Sequence, residues 1–300
     1  MALVPFDDRD GVIWYDGALV PWREAKLHVL SHGLHYGSSV FEGERAYSGN
    51  IFKLHAHTER LIASARILGY EIPYSAEAIE AACRQVLAGN GQTDAYVRPI
   101  AWRGSEMLAV SAQATKIHLA IASWPWPNLF GDNRMKGARL GIAEWKRPHP
   151  ETAPTTAKAA GLYMIGTLAK HKAEAEGFDD ALMFDWRGRV AEETGANIFF
   201  VFNGELHTPT PDCFLNGITR RSVMSIARRH QIKVVERAIM PEEMKGADEI
   251  FLAGTAAEVT PVRQIGDLHF TPGPMTERLL RDYEALVRMT PEEVEQRAPI

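Results

Sequence analysis

The chain has 300 residues, 46% hydrophobic and 24% charged, enough for about two domains with a sizeable core, and its net charge of −5 carries no nucleic-acid signature. No apolar run approaches 18 residues and Met1 to Asp10 holds four charges, so neither a spanning helix nor a signal peptide is expected. Cys83 and Cys213 form no CxxC pair, which excludes a disulfide scaffold and fits a reducing cytoplasm.

In chain order, Val12–Tyr15 and Ala18–Val20 flank Asp16-Gly17, a strong hairpin signal. Ile51–Lys53 reads as a strand leading into a helix from about Thr58 to Leu68, stopped by Gly69. Ser75 opens a second helix that fades at Gly89–Gly91, and two strands follow, Ala95–Ala101 and Lys116–Ser123. Trp124 to Asp132 is rich in Pro and aromatics without period, which suits a linker folded over a site. Beyond it come a helix at about Ala160–Ala175, strands at Ala181–Phe184 and Asn197–Phe202, and an Asn203-Gly204 turn. A helix near Thr219, a buried strand Glu249–Leu252 and a closing helix Met275–Met289 complete the chain. This mixture of hairpins and helices indicates α+β rather than a regular parallel α/β sheet.

Several familiar chemistries are missing. There is no GxGxxG after a strand, no GxSxG and no HExxH, and Gly161 to Gly166 is followed by Thr167 where a phosphate-gripping loop needs Lys. His28, His32 and His35 have helix-like spacing but no Cys, Asp or Glu alongside at ligand spacing, so no metal is assigned. They read as polar groups lining a loop or interface.

From Glu192 the sequence runs Glu-Glu-Thr-Gly-Ala-Asn-Ile-Phe, then Leu206-His-Thr208, then Leu215-Asn-Gly-Ile-Thr-Arg220. Pro154-Thr-Thr-Ala-Lys158 lies upstream, and Ser31 to Gly43, His57-Thr-Glu-Arg60, Tyr96-Val-Arg98 and Gly254-Thr-Ala-Ala-Glu258 add further segments. Together these resemble the class IV (fold type IV) aminotransferases that use pyridoxal 5′-phosphate, the branched-chain amino-acid group most closely. The resemblance covers about Val12 to Val287. It implies a two-domain fold: a smaller N-terminal α/β domain over 1–124, an interdomain loop 125–137, and a larger C-terminal α+β domain over 138–300.

The resemblance implies that Lys158 forms a Schiff base with pyridoxal 5′-phosphate, and the small Ala157, Ala159 and Ala160 leave room for the ring. Glu192 would partner the pyridine nitrogen, keeping it protonated so that the ring acts as an electron sink. Asn197 would order the loop through its side-chain hydrogen bonds. Ile218 and Thr219 stand at the start of a helix, where free N–H groups and the dipole favour a phosphate. Thr255, after a buried strand, sits in a nest-like run of amides. Arg60 would supply charge, and Tyr163 a hydrogen bond to the ring's phenolic oxygen.

Tyr96 and Arg98 alternate on one strand and so face the same side. By resemblance Arg98 holds the distal carboxylate of glutamate or 2-oxoglutarate with help from Tyr36. Phe41, Gly43, Tyr96 and Trp126 shape an apolar pocket for leucine, isoleucine or valine. Thr255 and Ala256 amides would take the α-carboxylate, and Val110 would come from a neighbouring subunit, which requires a homodimer or larger homo-oligomer. The partners implied are amino acids and 2-oxo acids, with no nucleic acid and no membrane.

Three departures bear on substrate range. Met107-Leu108-Ala109 stands where a Gly-Met-Gly loop is typical, Leu129 where a tyrosine is usual, and Glu44 where an aliphatic residue follows the Phe-Glu-Gly. The alternatives within the fold are an (R)-amine or D-amino-acid transaminase and a lyase acting on aminated chorismate. A non-catalytic carrier of the cofactor would leave Tyr96-Val-Arg98 unexplained.

Overall fold

A computed structural model describes residues 4–126 and 135–300. The chain divides into two compact units, Met1–Pro127 with Ala157–Gly161, and Asn128–Thr156 with Leu162–Ile300. The sequence reading assigns residues 157–161 to the C-terminal domain. They cluster with the first unit because Val40 bridges Ala159, the Lys158 carbonyl accepts from Phe41 N–H at 3.1 Å, and Lys158 N–H donates to Ser64 Oγ at 3.0 Å.

The first unit runs β1 (Val12–Tyr15), β2 (Ala18–Pro21), α1 (His32–Tyr36), β3 (Ser39–Phe41), β4 (Glu44–Tyr47) and β5 (Asn50–Ile51). It continues with α2 (Leu54–Ile67), α3 (Ala76–Gly89), β6 (Ala95–Arg103) and β7 (Ile117–Pro125). The sheet has the order β2-β1-β7-β6-β4-β5 with β3 also on β6, and the pairs are antiparallel. Asp16 and Gly17 have φ of 46° and 105°, the positive pair a two-residue hairpin needs, so the expected hairpin forms. Alternation along β6 and β7 sends Val97, Ala101, Leu119 and Ile121 into the core with Leu61, Ala65, Ile79 and Val86 of α2 and α3. Tyr96, Arg98, Ile100 and Trp102 lie on the opposite face.

Three expectations shift here. α2 begins at Leu54, four residues before the expected start, because Lys53 turns the chain at φ 52°, and only Asn50–Ile51 is strand. Trp124 and Pro125 belong to β7, opposite Tyr96 and Ala95. β1 pairs with β7 only at Ala120 and Ile121, so the missing N–H of Pro125 costs no ladder bond. Leu129, Phe130 and the rest of 127–134 lie outside the described residues.

The second unit comprises β8 (Ala138–Ile142), α4 (Met164–Ala175), β9 (Asp180–Phe184), β10 (Val190–Glu193), β11 (Asn197–Phe202) and β12 (Glu205–Pro209). It goes on through α5 (Ile218–Arg229), β13 (Val234–Arg237), β14 (Glu249–Gly254), β15 (Glu258–Ile265), β16 (Leu268–His269), α6 (Pro274–Leu286) and α7 (Pro291–Arg297). The strand path is β10-β9-β8-β15-β14-β11-β12-β13, and β10 also pairs with β11, so the sheet curls back on itself. β8 is parallel to β9 and β15, and β12 to β13, while the others are antiparallel, which gives the α+β mixture expected. Leu140, Leu182, Ile198, Phe200, Ile250 and Val262 form its core. No helix among the described residues is long and apolar enough to cross a membrane.

Candidate active site

In the first unit, Lys158 stands between the buried Ala157 and Ala159, and its Nζ lies 4.8 Å from the centre of the Phe41 ring. The β3 and α2 contacts of its backbone fix where the amine emerges. Phe41 also lies beneath Arg98, whose guanidinium carbon is 4.8 Å from the Phe41 ring and 5.2 Å from the Tyr96 ring. Arg98 Nη2 donates to Tyr96 Oη at 3.2 Å, and the Tyr96 ring is stacked against Trp124 and tilted against Trp126, with centroids 5.1 and 4.8 Å away. These residues make a cation inside an aromatic box.

Gly43 makes that box possible. A Cβ on Gly43 would fall onto Tyr96 Oη, inside any permitted contact. Tyr36 ends α1, half exposed, with its ring stacked on His32 at 4.5 Å. Val110 is 87% exposed on the loop that follows β6. A cavity of about 540 Å³ opens on the same sheet face, lined by Arg98, Ile100, Trp102, Ala122 and Ala160 among others.

Arg60 is not solitary. Its Nε and Nη2 donate to the two oxygens of Glu42 at 2.6 and 2.8 Å, and His57 Nδ1 lies 2.7 Å from Glu42 Oε2. Burial pushes the Glu42 carboxyl up, but Arg60 and then His57 outweigh it, leaving it well below the ordinary carboxylate range. Burial lowers the pKa of His57 more than Glu42 raises it, so the imidazole is held toward its neutral form. Sequence reasoning missed Glu42 and His57 as partners, although both sit in the motifs Phe-Glu-Gly and His-x-x-Arg that it singled out.

In the second unit, Glu192 is buried on β10, opposite Asn197 and just past a register shift that separates it from Val190. Asn197 Nδ2 donates to Glu192 Oε2 at 3.2 Å, and Arg147 Nε lies 3.3 Å from Glu192 Oε1. The same amide donates to the Leu215 carbonyl at 3.0 Å, and its Oδ1 accepts from Gly217 N–H at 3.2 Å. Asn197 thus ties β11 to the loop that starts α5. A Cβ on Gly217 would collide with Asn197 Oδ1, so that approach needs a glycine. Arg147 escaped the sequence reading because it is far from Glu192 in the chain.

Ile218 and Thr219 open α5, both buried, and no side chain caps that end. Their backbone donors are therefore oriented for an anion. Thr255 and Ala256 form the turn from β14 to β15, whose partners Gly254 and Glu258 are paired. Tyr163 immediately precedes α4. Of the three histidines, His32 meets Ser38 and Ala109, His28 accepts from Leu30 N–H, and His35 meets the Val29 carbonyl. They line a loop, as expected of them.

Comparison with known proteins bears on what these groups serve. The Amino-transferase class IV family matches residues 39–265. A branched-chain-amino-acid aminotransferase of Pseudomonas aeruginosa is 43% identical over 93% of this chain and 94% of its own length. That of Escherichia coli K12 is 36% identical over 91% and 92%. Among solved structures, the branched-chain aminotransferase of Thermoproteus uzoniensis with norvaline superimposes with TM-score 0.91 at 37% identity, covering 96% and 98% of the two chains. The T.th. branched-chain amino acid aminotransferase complexed with N-(5′-phosphopyridoxyl)-L-glutamate gives TM-score 0.91 at 40% identity, again covering 96% and 98%. With the family match spanning both units and these relatives covering nearly the whole chain, this protein belongs to the class IV aminotransferases.

Proposed function

We propose that the enzyme moves the amino group of L-leucine, L-isoleucine or L-valine to 2-oxoglutarate, giving 2-oxo acids and L-glutamate, with pyridoxal 5′-phosphate as cofactor. The observation that carries this reading is the Arg98 guanidinium set over Phe41 and bonded to Tyr96. Its aromatic walls suit a branched aliphatic chain, and its cation suits the distal carboxylate of glutamate. A pocket with only one of these features would serve only one of the two substrates.

The residues fit the cofactor. Within the second unit, an uncapped helix end at Thr219 offers donors for a phosphate and Glu192 a carboxylate for a ring nitrogen; within the first, Arg60 and Lys158 offer cations. Bound there, pyridoxal 5′-phosphate supplies an aldehyde that takes up amino groups and a ring that withdraws electrons. Lys158 Nζ would hold it and, when free, would move the proton at the substrate's α-carbon. Glu192, steadied by Asn197 and Arg147, holds the proton on the ring nitrogen, and Tyr163 donates to the phenolic oxygen. Arg60, Ile218, Thr219 and Thr255 would hold the phosphate. Thr255 and Ala256 take the α-carboxylate, while Tyr36, Phe41, Gly43, Tyr96, Arg98, Trp126 and a second copy's Val110 bind the side chain. The exposed Val110, with Val29 and Leu34 also exposed, supports a homo-oligomer, and two free cysteines support a cytoplasmic home.

The test is spectroscopic. The purified yellow enzyme should bleach with L-leucine and regain its colour with 2-oxoglutarate, and Lys158→Ala should do neither. An enzyme that keeps its colour with leucine, isoleucine and valine would refute the branched-chain assignment.

A further inference from the structure

His32 grips the loop after β6 at two points. Its backbone N–H donates to the Gly104 carbonyl at 2.8 Å, where the loop leaves the strand. Its ring Nε2 lies 2.9 Å from the Ala109 carbonyl, near the crown. A carbonyl only accepts, so Nε2 carries the proton. Nδ1, 2.6 Å from Ser38 Oγ, then accepts from that hydroxyl. The ring is 4% exposed and stacked on Tyr36 with planes 17° apart. One buried imidazole therefore sets the Tyr36 ring on its face and the peptide next to Val110 at its edge. His28 and His35, on the same stretch, are exposed and make no such long-range bond.

Nothing else about this arrangement asks for a histidine. The loop's ends are held independently, Gly104 N–H on the Lys116 carbonyl at 2.8 Å and Lys116 N–H on Glu106 Oε2 at 3.0 Å. Leu108 and Val110 are 44% and 87% exposed in the single chain, so packing within the chain does not fix the crown. Beyond the crown, the buried Ala112 is held through its carbonyl by Arg103 Nη1 at 2.9 Å and Thr115 Oγ1 at 2.7 Å, and the His32 ring adds a fixed point at Ala109, before Val110.

We infer that His32 is a positioning residue for substrate binding: through its Nε2–H bond to Ala109 it fixes the loop that presents Val110, and through stacking it fixes Tyr36. The inference rests on the proposed roles of Val110 and Tyr36 at the substrate. It places one residue in control of two substrate contacts, without touching substrate itself.

The experiment compares His32→Asn with His32→Gln in the holoenzyme, by the rate of chymotryptic cleavage within 107–110 of the folded protein and by steady-state kinetics. Asn can reach only the Ser38 side, whereas Gln can place an N–H toward Ala109. Cleavage of a native loop tracks its local opening, so His32→Asn should speed it about fivefold, the loss of one hydrogen bond, and raise KM for leucine and 2-oxoglutarate similarly with kcat little changed. His32→Gln should restore the cleavage rate and KM most of the way. Parent-like cleavage in His32→Asn, or equal cleavage in both variants, overturns the inference. Faster cleavage with unmoved KM instead overturns the substrate roles of Val110 and Tyr36, and the transaminase reading survives. Should His32→Asn not fold, Ser38→Ala, which removes one hydroxyl, must still speed cleavage within 107–110; parent-like cleavage there overturns the inference too.

Discussion

Arg98 spends its donors sparingly: one nitrogen bonds Tyr96 Oη, and the flat cation rests on two rings. A guanidinium so placed is ready to clamp a carboxylate with a planar fork, which lysine could not match. Arg98→Ala should raise KM for 2-oxoglutarate and glutamate far more than for leucine, since a lost charge-assisted contact to a desolvated carboxylate costs about 2–5 kcal/mol. KM measurements on both substrates decide it, and equal losses would put Arg98 at the α-carboxylate or in the scaffold. Arg60 presents the opposite case. Glu42 takes two of its nitrogens and offsets its charge, so the Arg60 guanidinium is held in one orientation. Glu42 was quoted in a motif yet could not be paired from sequence. Eighteen residues of chain separate it from Arg60, and only the fold of β3 against α2 brings them together.

At the scale of elements, β4 carries an oddity in its first residue. Glu44 is fully buried, and burial, then the nearby Glu42, raises its carboxyl well above the ordinary range. The folded chain thus favours the protonated acid, while the unfolded chain ionises normally. Stability from this group is intact below the ordinary carboxylate pKa and is lost as pH rises toward the folded value. Glu44→Gln mimics the protonated form at every pH. Its Tm should match the parent's near pH 4 and exceed it increasingly toward pH 8, by about 2–4 °C for each kcal/mol regained. A Tm difference that does not change with pH would contradict this. The longer helices, α2 to α6, were the legible elements, whereas the short α1 and α7 were not anticipated. Ser75 caps α3 by accepting from Ala78 N–H at 3.2 Å, worth about 1 kcal/mol, and Gly69 at φ 75° follows α2 as expected. The start of α2 was illegible because it depends on Lys53 in a left-handed conformation that no sequence rule assigns to lysine. β3 lies inside the motif Ser31 to Gly43 and β4 directly after it, stretches to which the sequence reading gave no strand. Lys158 and Glu192 could be singled out from local motifs; Arg147, which meets Glu192 but lies far from it in the chain, could not.

For the whole molecule, substrate breadth follows from the departures in the two loops. Met107-Leu108-Ala109 is bulkier and stiffer than a glycine-flanked loop, and Leu129, outside the described residues, offers no hydroxyl. A missing hydroxyl contact is worth about 1 kcal/mol, so specificity should broaden rather than switch. Rates on leucine, phenylalanine and (R)-1-phenylethylamine check this: leucine should lead, with measurable turnover of the other two. No turnover of either would make the departures silent, and an amine rate above that of leucine would favour the (R)-amine alternative.

The short segment 157–161 has a consequence for recombination. It carries Lys158, yet it belongs with the first unit while the chain on both sides of it belongs with the second. The genetic order and the physical grouping are therefore out of step. A chimera that exchanges residues 4–126 with those of a relative and leaves the rest would inherit a Lys158 segment matched to the wrong Phe41 and Ser64. Crossover points chosen from chain position alone would divide what the fold keeps together. A shuffled library should move 157–161 together with the N-terminal half, as two separate inserts that behave as one heritable block.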